Sequence, residues 1–337
     1  MKRGESGLSL VLGMAKPSGM TSHDVVGRVR RALGERRVGH TGTLDPLASG
    51  VLPVCVGSAT RLSPYLTAED KRYEVAVAFG AATDTDDAEG EVIRTGEVPA
   101  RLYDEAFAAR FVAGLVGPSR QLPPVYSAIK VNGRKACDEA RRGNVIAIEP
   151  RDIEVYGAKL LSIDEEGPGG GLRWSAAFHV SKGTYIRALA RDMGRDLGCP
   201  AHVDALVRTA SGALELADCV SLEALEGLGA RAALDPVRLL GLRFAYLDEA
   251  AERAVSNGAP LPADALALCE RSRRSALAEL CACTSGVMDS PTAPEAGERV
   301  ALIARNRLLA LYELDQQAAR FKPCCVFQGG ISRGAGA

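Results

Sequence analysis

Long apolar runs are missing from this 337-residue chain: no stretch approaches the roughly 18–20 consecutive apolar residues of a membrane helix. A helical membrane span is thereby excluded. Met1-Lys2-Arg3 is followed only by a short strand-like run, so no targeting segment is expected and a cytoplasmic location is. A dominant charge sign is missing too, since 41 Lys and Arg face 42 Asp and Glu for a net charge of -1. Polyanion binding through a basic tail is disfavoured, whereas a local basic groove is not. Among the nine cysteines no Cys-x-x-Cys pair occurs, the closest approaches being Cys281-Ala282-Cys283 and Cys324-Cys325. Free thiols in a reducing compartment are expected, with neither disulfides nor zinc.

Several chemistries are excluded by motifs that are absent or incomplete. There is no Gly-Lys-Ser/Thr of a P-loop and no G-x-G-x-x-G turn. Asp84-Thr85-Asp86 opens like a calcium loop, but Ala88 and Glu89 occupy the third ligand and glycine positions. Gly330-Ile331-Ser332-Arg333-Gly334 has the form of a nucleophile elbow, yet only three residues follow it. No cofactor and no metal are expected.

What is present is 25% charged residues in a length suited to about two globular domains. Lys and Arg dominate residues 1–75 and 120–142, while 84–105 is acidic, so one face could hold a polyanion. Leu8 to Met14 reads as a strand. Thr21/Ser22 start a helix whose stripe of Val25, Val26, Val29, Ala32 and Leu33 ends at Gly34. Tyr73, Val75, Val77 and Phe79 alternate with smaller or polar residues, the period of a half-buried strand. Residues 101–116 read as a helix, 125–131 as a strand into an Asn132-Gly133 turn, and 134–142 as a short basic helix. Strands are expected over 151–163 and 172–180, and a helix from Thr184 to Leu197. The fold class is α+β, a mixed, largely antiparallel sheet flanked by helices. A small β-rich second domain is expected over 241–330, interrupted by an insertion at about 264–297.

Gly39 to Gly50 carries three glycines, a proline and three hydroxyl residues, which describes a tightly turned loop before the apolar run Val51 to Val56. One carboxylate, Asp45, stands between Leu44 and Pro46. A lone aspartate in a turn is ordinarily an Asx cap, and spacing alone does not settle a function.

Five separated motifs change that. Lys16-Pro17-Ser18-Gly19-Met20-Thr21-Ser22, Gly39 to Leu52, Lys71-Arg72-Tyr73, Ser181-Lys182-Gly183-Thr184-Tyr185-Ile186-Arg187 and His202 to Thr209 resemble, in this order, the TruB family of bacterial tRNA pseudouridine synthases. The resemblance spans about residues 8–240. It implies a pseudouridine synthase fold over 1–240, a PUA-like RNA-binding domain after it, and isomerisation of uridine 55 in the T loop of tRNA. That reaction flips the base, breaks the N1–C1′ bond and rejoins uracil through C5. By resemblance Asp45 is the catalytic aspartate, Arg187 its partner, and Tyr73 stacks on the target base and is placed to take the C5 proton. Tyr185 and Leu206 hold the uracil, while His40 enters the space that the flipped nucleotides leave. Lys16, Lys130, Arg141 and Arg208 are candidate phosphate contacts. The partner is the tRNA T arm, and the chain is expected to act as a monomer. Two rivals stay open: a non-catalytic tRNA-binding or folding module, and a guide-RNA-directed relative. Whether Asp45 attacks as a nucleophile or serves as a base also stays open.

Overall fold

The computed structural model describes residues 6–127, 129–131, 134–136, 139, 142, 144, 147–167, 171–269 and 293–334. Its main sheet has the strand order Leu10–Lys16, Ser49–Val56, Ala201–Ser211, Lys71–Phe79, Gly171–Val180, Arg151–Gly167 and Gly117–Gln121. Val38–His40 and Leu214–Glu215 pair at its margins. Every pairing is antiparallel except that of Ala201–Ser211 with Ser49–Val56, where Val207 meets Ser49 and Arg208 meets Gly50. The mixed, largely antiparallel sheet expected from the sequence is the one observed.

Strand alternation decides which face is covered. Leu172, Trp174, Ala176, Phe178 and Val180 are buried, while Arg173, Ser175, Ala177 and His179 between them are half-exposed. The helices Ser22–Leu33, Glu105–Ala113 and Ile186–Leu197 lay their apolar stripes on the buried face. Trp174 anchors that layer. It is fully buried, meets Phe79 and Phe111 edge-on with ring centroids at 4.8 and 6.1 Å, and donates its indole N–H to the Leu102 carbonyl at 2.9 Å.

The Ser22–Leu33 helix follows its end signals. Thr21 and Asp24 form a reciprocal capping box, and Gly34 closes the helix in the left-handed region at φ 61°. The other expectations shift at their edges. The first strand is Leu10–Lys16, and the 101–116 helix is a tight turn at Ala100–Tyr103 followed by Glu105–Ala113. Residues 122–127 form a loop instead of a strand, leaving only Lys130–Val131 extended. That strand pairs with Arg134–Lys135, so strand pairing takes the two residues that helical spacing had assigned to a helix.

A five-stranded sheet of Arg243–Tyr246, Arg299–Ala304, Arg307–Asp315, Arg320–Ser332 and Leu261–Pro262 makes the C-terminal region β-rich. It has its own core of Val255, Leu261, Val300, Leu302, Tyr312 and Phe321. A further apolar cluster joins Val11, Val51 and Cys55 to Ala301, Ile303, Leu311 and Ile331. The expected 264–297 insertion lies largely on 270–292, outside the described residues. Among the described residues no helix is long and apolar enough to cross a membrane.

Truncating the central anchor tests this packing. Trp174→Ala should lower the free energy of unfolding by about 3–5 kcal/mol, read by urea denaturation. A change under about 1 kcal/mol would mean the sheet and helices close over the gap.

Candidate active site

Val38–His40 and Ser49–Val56 pair antiparallel, so the loop 41–48 that holds Asp45 is the connection of a hairpin. Buried groups staple it at three points. The Arg208 guanidinium, 1% exposed, donates to the carbonyls of Gly42 (3.0 Å) and Val51 (2.7 Å). The Ser22 hydroxyl donates to the Leu44 carbonyl (3.0 Å) and accepts from the Leu44 N–H (2.9 Å). The Lys16 ammonium, also 1% exposed, donates to the carbonyls of Pro17 (2.9 Å), Met20 (2.5 Å) and Pro46 (3.3 Å). Both neighbours of Asp45 are therefore held. Gly50 lets the strands close behind the loop, because at φ 102° a Cβ there would stand 2.2 Å from the Arg208 carbonyl oxygen.

Arg187, in the first turn of Ile186–Leu197, reaches this loop with its side chain 6% exposed. Its Nε lies 2.8 Å from Asp45 Oδ2. Nη1 donates to the Thr85 carbonyl (2.8 Å) and lies 3.4 Å from Asp87 Oδ2, and Nη2 donates to the Tyr126 carbonyl (2.9 Å). A guanidinium satisfied on every side has one orientation. Burial pushes the Asp45 carboxyl above its ordinary value; Arg187 opposes this, and the buried Asp87 adds to it. The sum is upward.

About a third of the Asp45 side chain stays open to a cleft of about 270 Å³. Tyr73, Tyr185, Leu206, Lys71, Ser127, Arg187 and Arg208 line it with the loop residues Gly42 to Asp45. Tyr73 faces Phe178 and Arg208 across its two neighbouring strands. Lys71 is buried, its ammonium bound by the Thr67 and Glu69 carbonyls, and burial ahead of Arg208 brings its pKa down to about 8. The cleft thus sets one carboxylate among cations beside two phenols. It can hold a planar polar ring against aromatic and aliphatic walls and present a desolvated carboxylate to it, as nucleophile or as base.

Residues 30–186 match the N-terminal domain of TruB family pseudouridylate synthases, and 187–242 match the tRNA pseudouridylate synthase B C-terminal domain. A tRNA pseudouridine synthase B of Geobacillus thermodenitrificans (strain NG80-2) is 45% identical over 258 residues, 74% of this chain and 85% of that one. Its counterpart in Geobacillus kaustophilus (strain HTA426) is 43% identical over 74% of this chain and 90% of that one. The chain belongs to the TruB family. Enzymes of this family are isomerases that convert uridine to pseudouridine in tRNA. A crystal structure of a Cbf5-Nop10-Gar1 complex shares the fold with a TM-score of 0.64 at 24% identity, over 97% of this chain and 86% of that one. The two matched segments meet at Arg187, so the pair it forms with Asp45 joins one to the other.

The cleft brings together Asp45, Tyr73, Arg187, Tyr185 and Leu206. His40 stands two residues before the first lining residue, half-buried, and burial followed by Arg208 lowers its pKa and favours the neutral ring. Two readings need correction. Lys16 and Arg208 were expected at phosphates, but both are buried, the Lys16 ammonium donating to the Pro17, Met20 and Pro46 carbonyls and Arg208 Nε and Nη2 to those of Val51 and Gly42, so each holds the loop. Burial also brings Lys16 down to about 8, the carboxylates of Glu89 and Asp45 opposing it. The Lys130 side chain and all of Arg141 lie outside the described residues. Sequence reasoning missed Asp87, which sits in an acidic run that reads as solvated surface. Its one distinguishing trait, burial to 3%, is visible only once Asp87 bridges to Val203 in the sheet.

Two outcomes follow from these environments. Asp45 binds its proton more tightly folded than unfolded, so ionisation at neutral pH costs folding free energy. Asp45→Asn should be at least as stable as wild type at pH 7, the difference vanishing below the ordinary carboxylate range. A lower melting temperature at pH 7 would mean the ion pair outweighs burial. Lys16→Met removes the ammonium from the Pro17 and Met20 carbonyls, while Pro46 keeps the Gly19 N–H, and should cost about 1–3 kcal/mol, while the salt dependence of tRNA binding stays at the wild-type slope. A shallower slope would return Lys16 to the RNA interface.

Proposed function

We propose that this enzyme makes pseudouridine at position 55 in the T loop of tRNAs, acting as a cytoplasmic monomer on the T arm. The observation that carries the catalytic assignment is the 2.8 Å ion pair of Asp45 and Arg187 in a cleft that Tyr73, Tyr185 and Leu206 also line. Asp45 is the catalytic carboxylate, and Arg187 keeps it aimed and ionised. The flipped uracil stacks on Tyr73, an interaction worth about 1–3 kcal/mol. The Tyr73 hydroxyl then receives the C5 proton once the base has turned. Tyr185 and Leu206 wall the detached ring. His40, neutral and at the loop's entry, fills the space the nucleotides leave and offsets part of the unstacking cost. Lys130 and Arg141 are proposed phosphate contacts, and the C-terminal sheet is read as the PUA-like RNA-binding domain.

Two cavities rich in arginine support an RNA substrate. Arg30, Arg31 and Arg36 line one cavity, and Arg37 and Arg61 line a second that reaches Asn257 and Gln328 of the C-terminal region. Among the described residues no salt bridge engages Arg31, Arg36, Arg37 or Arg61. The net charge of -1 conceals this local excess. Relatives at about 45% identity carry the name tRNA pseudouridine synthase B, which favours a free-standing enzyme over the binding-module and guide-directed alternatives.

Incubated with unmodified tRNA and no added cofactor, the protein should convert one T-loop uridine, detected by mapping pseudouridines. Asp45→Asn should stop conversion while tRNA still binds, and Tyr73→Phe should bind tRNA nearly as well but turn over at least about a hundredfold more slowly. Turnover by Asp45→Asn at the wild-type rate would remove the carboxylate from the reaction. Conversion at another uridine would keep the chemistry and discard the site.

A further inference from the structure

The helix that carries Arg187 begins without a side-chain cap of its own: Tyr185 occupies the N-cap position, and its side chain accepts nothing from the first turn. Its backbone is held from another part of the chain. The Gln121 carboxamide, 3% exposed, donates from Nε2 to the Tyr185 carbonyl at 3.1 Å and accepts from the Tyr185 N–H at Oε1 at 2.9 Å. One side-chain amide thus satisfies both polar groups of a single residue, as a neighbouring strand would.

Gln121 ends the strand Gly117–Gln121, with Arg151 opposite it in the sheet. The loop that follows reaches the same helix twice more. The Leu122 carbonyl accepts from Arg191 Nη2 at 2.7 Å, and the Tyr126 carbonyl accepts from Arg187 Nη2 at 2.9 Å. Gln121 itself stays outside the cleft lining, whereas Tyr185, which it holds, is part of it. Two residues after Tyr185, within one turn, comes the guanidinium that meets Asp45.

We propose that Gln121 is a positioning residue for pseudouridine formation, fixing the Tyr185 backbone and through it both the phenol that walls the uracil and the Arg187 guanidinium that restrains Asp45. The assignment rests on the active-site reading of Tyr185 and Arg187 given above. A carboxamide is required because the site needs a donor and an acceptor in one plane. Gln121 touches neither Asp45 nor the space open to the base, so its loss acts through its neighbours.

The test measures kcat and KM on unmodified tRNA for wild type, Gln121→Met and Gln121→Glu, with melting curves alongside. Methionine preserves volume and removes both hydrogen bonds. An ionised glutamate keeps the acceptor for the Tyr185 N–H and loses the donor to its carbonyl. For Gln121→Met, kcat should fall by about tenfold or more, with KM within about twofold because tRNA affinity comes from phosphate contacts elsewhere. Gln121→Glu should fall between. The acidic limb of kcat should also move to higher pH in Gln121→Met. Arg187, Asp87 and Lys16 are the charged groups acting on Asp45, and slackening Arg187 removes the contact that most opposes its protonation. A folded variant with wild-type kcat overturns the proposal, as does a fall in kcat matched by a rise in KM with an unmoved acidic limb. If Gln121→Met does not fold, Gln121→Glu decides by the same criteria. A wild type inactive on tRNA would instead overturn the functional reading itself.

Discussion

The contact between Asp45 and Arg187 is the constraint around which the rest of the catalytic region is arranged. A carboxylate loses hydration when a loop folds over it, and a single guanidinium does not restore the balance here, since burial still leaves the group easier to protonate than in water. The fold tolerates that cost by fixing both partners from behind. Arg187 spends its other nitrogens on the Thr85 and Tyr126 carbonyls and on Asp87, and the Asp45 loop is stapled on either side of the carboxylate. Both groups are held at the cleft wall, which keeps a carboxylate that burial has made easier to protonate in a fixed place for chemistry.

Two cations buried in the loop's foundation perform work that surface charges cannot. Lys16 and Arg208 cost free energy to desolvate, and each offsets this by donating to backbone carbonyls of the loop and of the segments that flank it. The parallel pairing of Val207 and Arg208 with Ser49 and Gly50 brings the second of these side chains under the loop. Glycine at position 50 is what allows that approach.

Much of this was legible in residue patterns, and the exceptions share a cause. The Ser22–Leu33 helix and the strand from Lys71 to Phe79 were readable because their periodicity and end signals are local. The cleft residues Asp45, Tyr73, Arg187, Tyr185 and Leu206 came from the family motifs, not from spacing, and the loop composition alone would have passed for an ordinary turn. Lys16 and Arg208 were misplaced because a cation's type says nothing of whether it is buried; that depends on strands far away in sequence. Asp87 and Gln121 escaped notice for the same reason. Their partners lie some 60 to 100 positions onward, and each looks like surface or strand end until the sheet closes.

The order in which the sheet is assembled also bears on how the protein comes into being. Residues 45 and 187 are separated by 142 positions, which at typical bacterial elongation speeds is roughly 7–30 s of synthesis. During that interval the nascent strand Ser49–Val56 has its Leu10–Lys16 and Val38–His40 neighbours but not Ala201–Ser211. The edge at Ser49 and Gly50 therefore waits for a partner not yet made. Closure of the sheet's centre and the pairing of Asp45 with Arg187 both wait for that later stretch of chain.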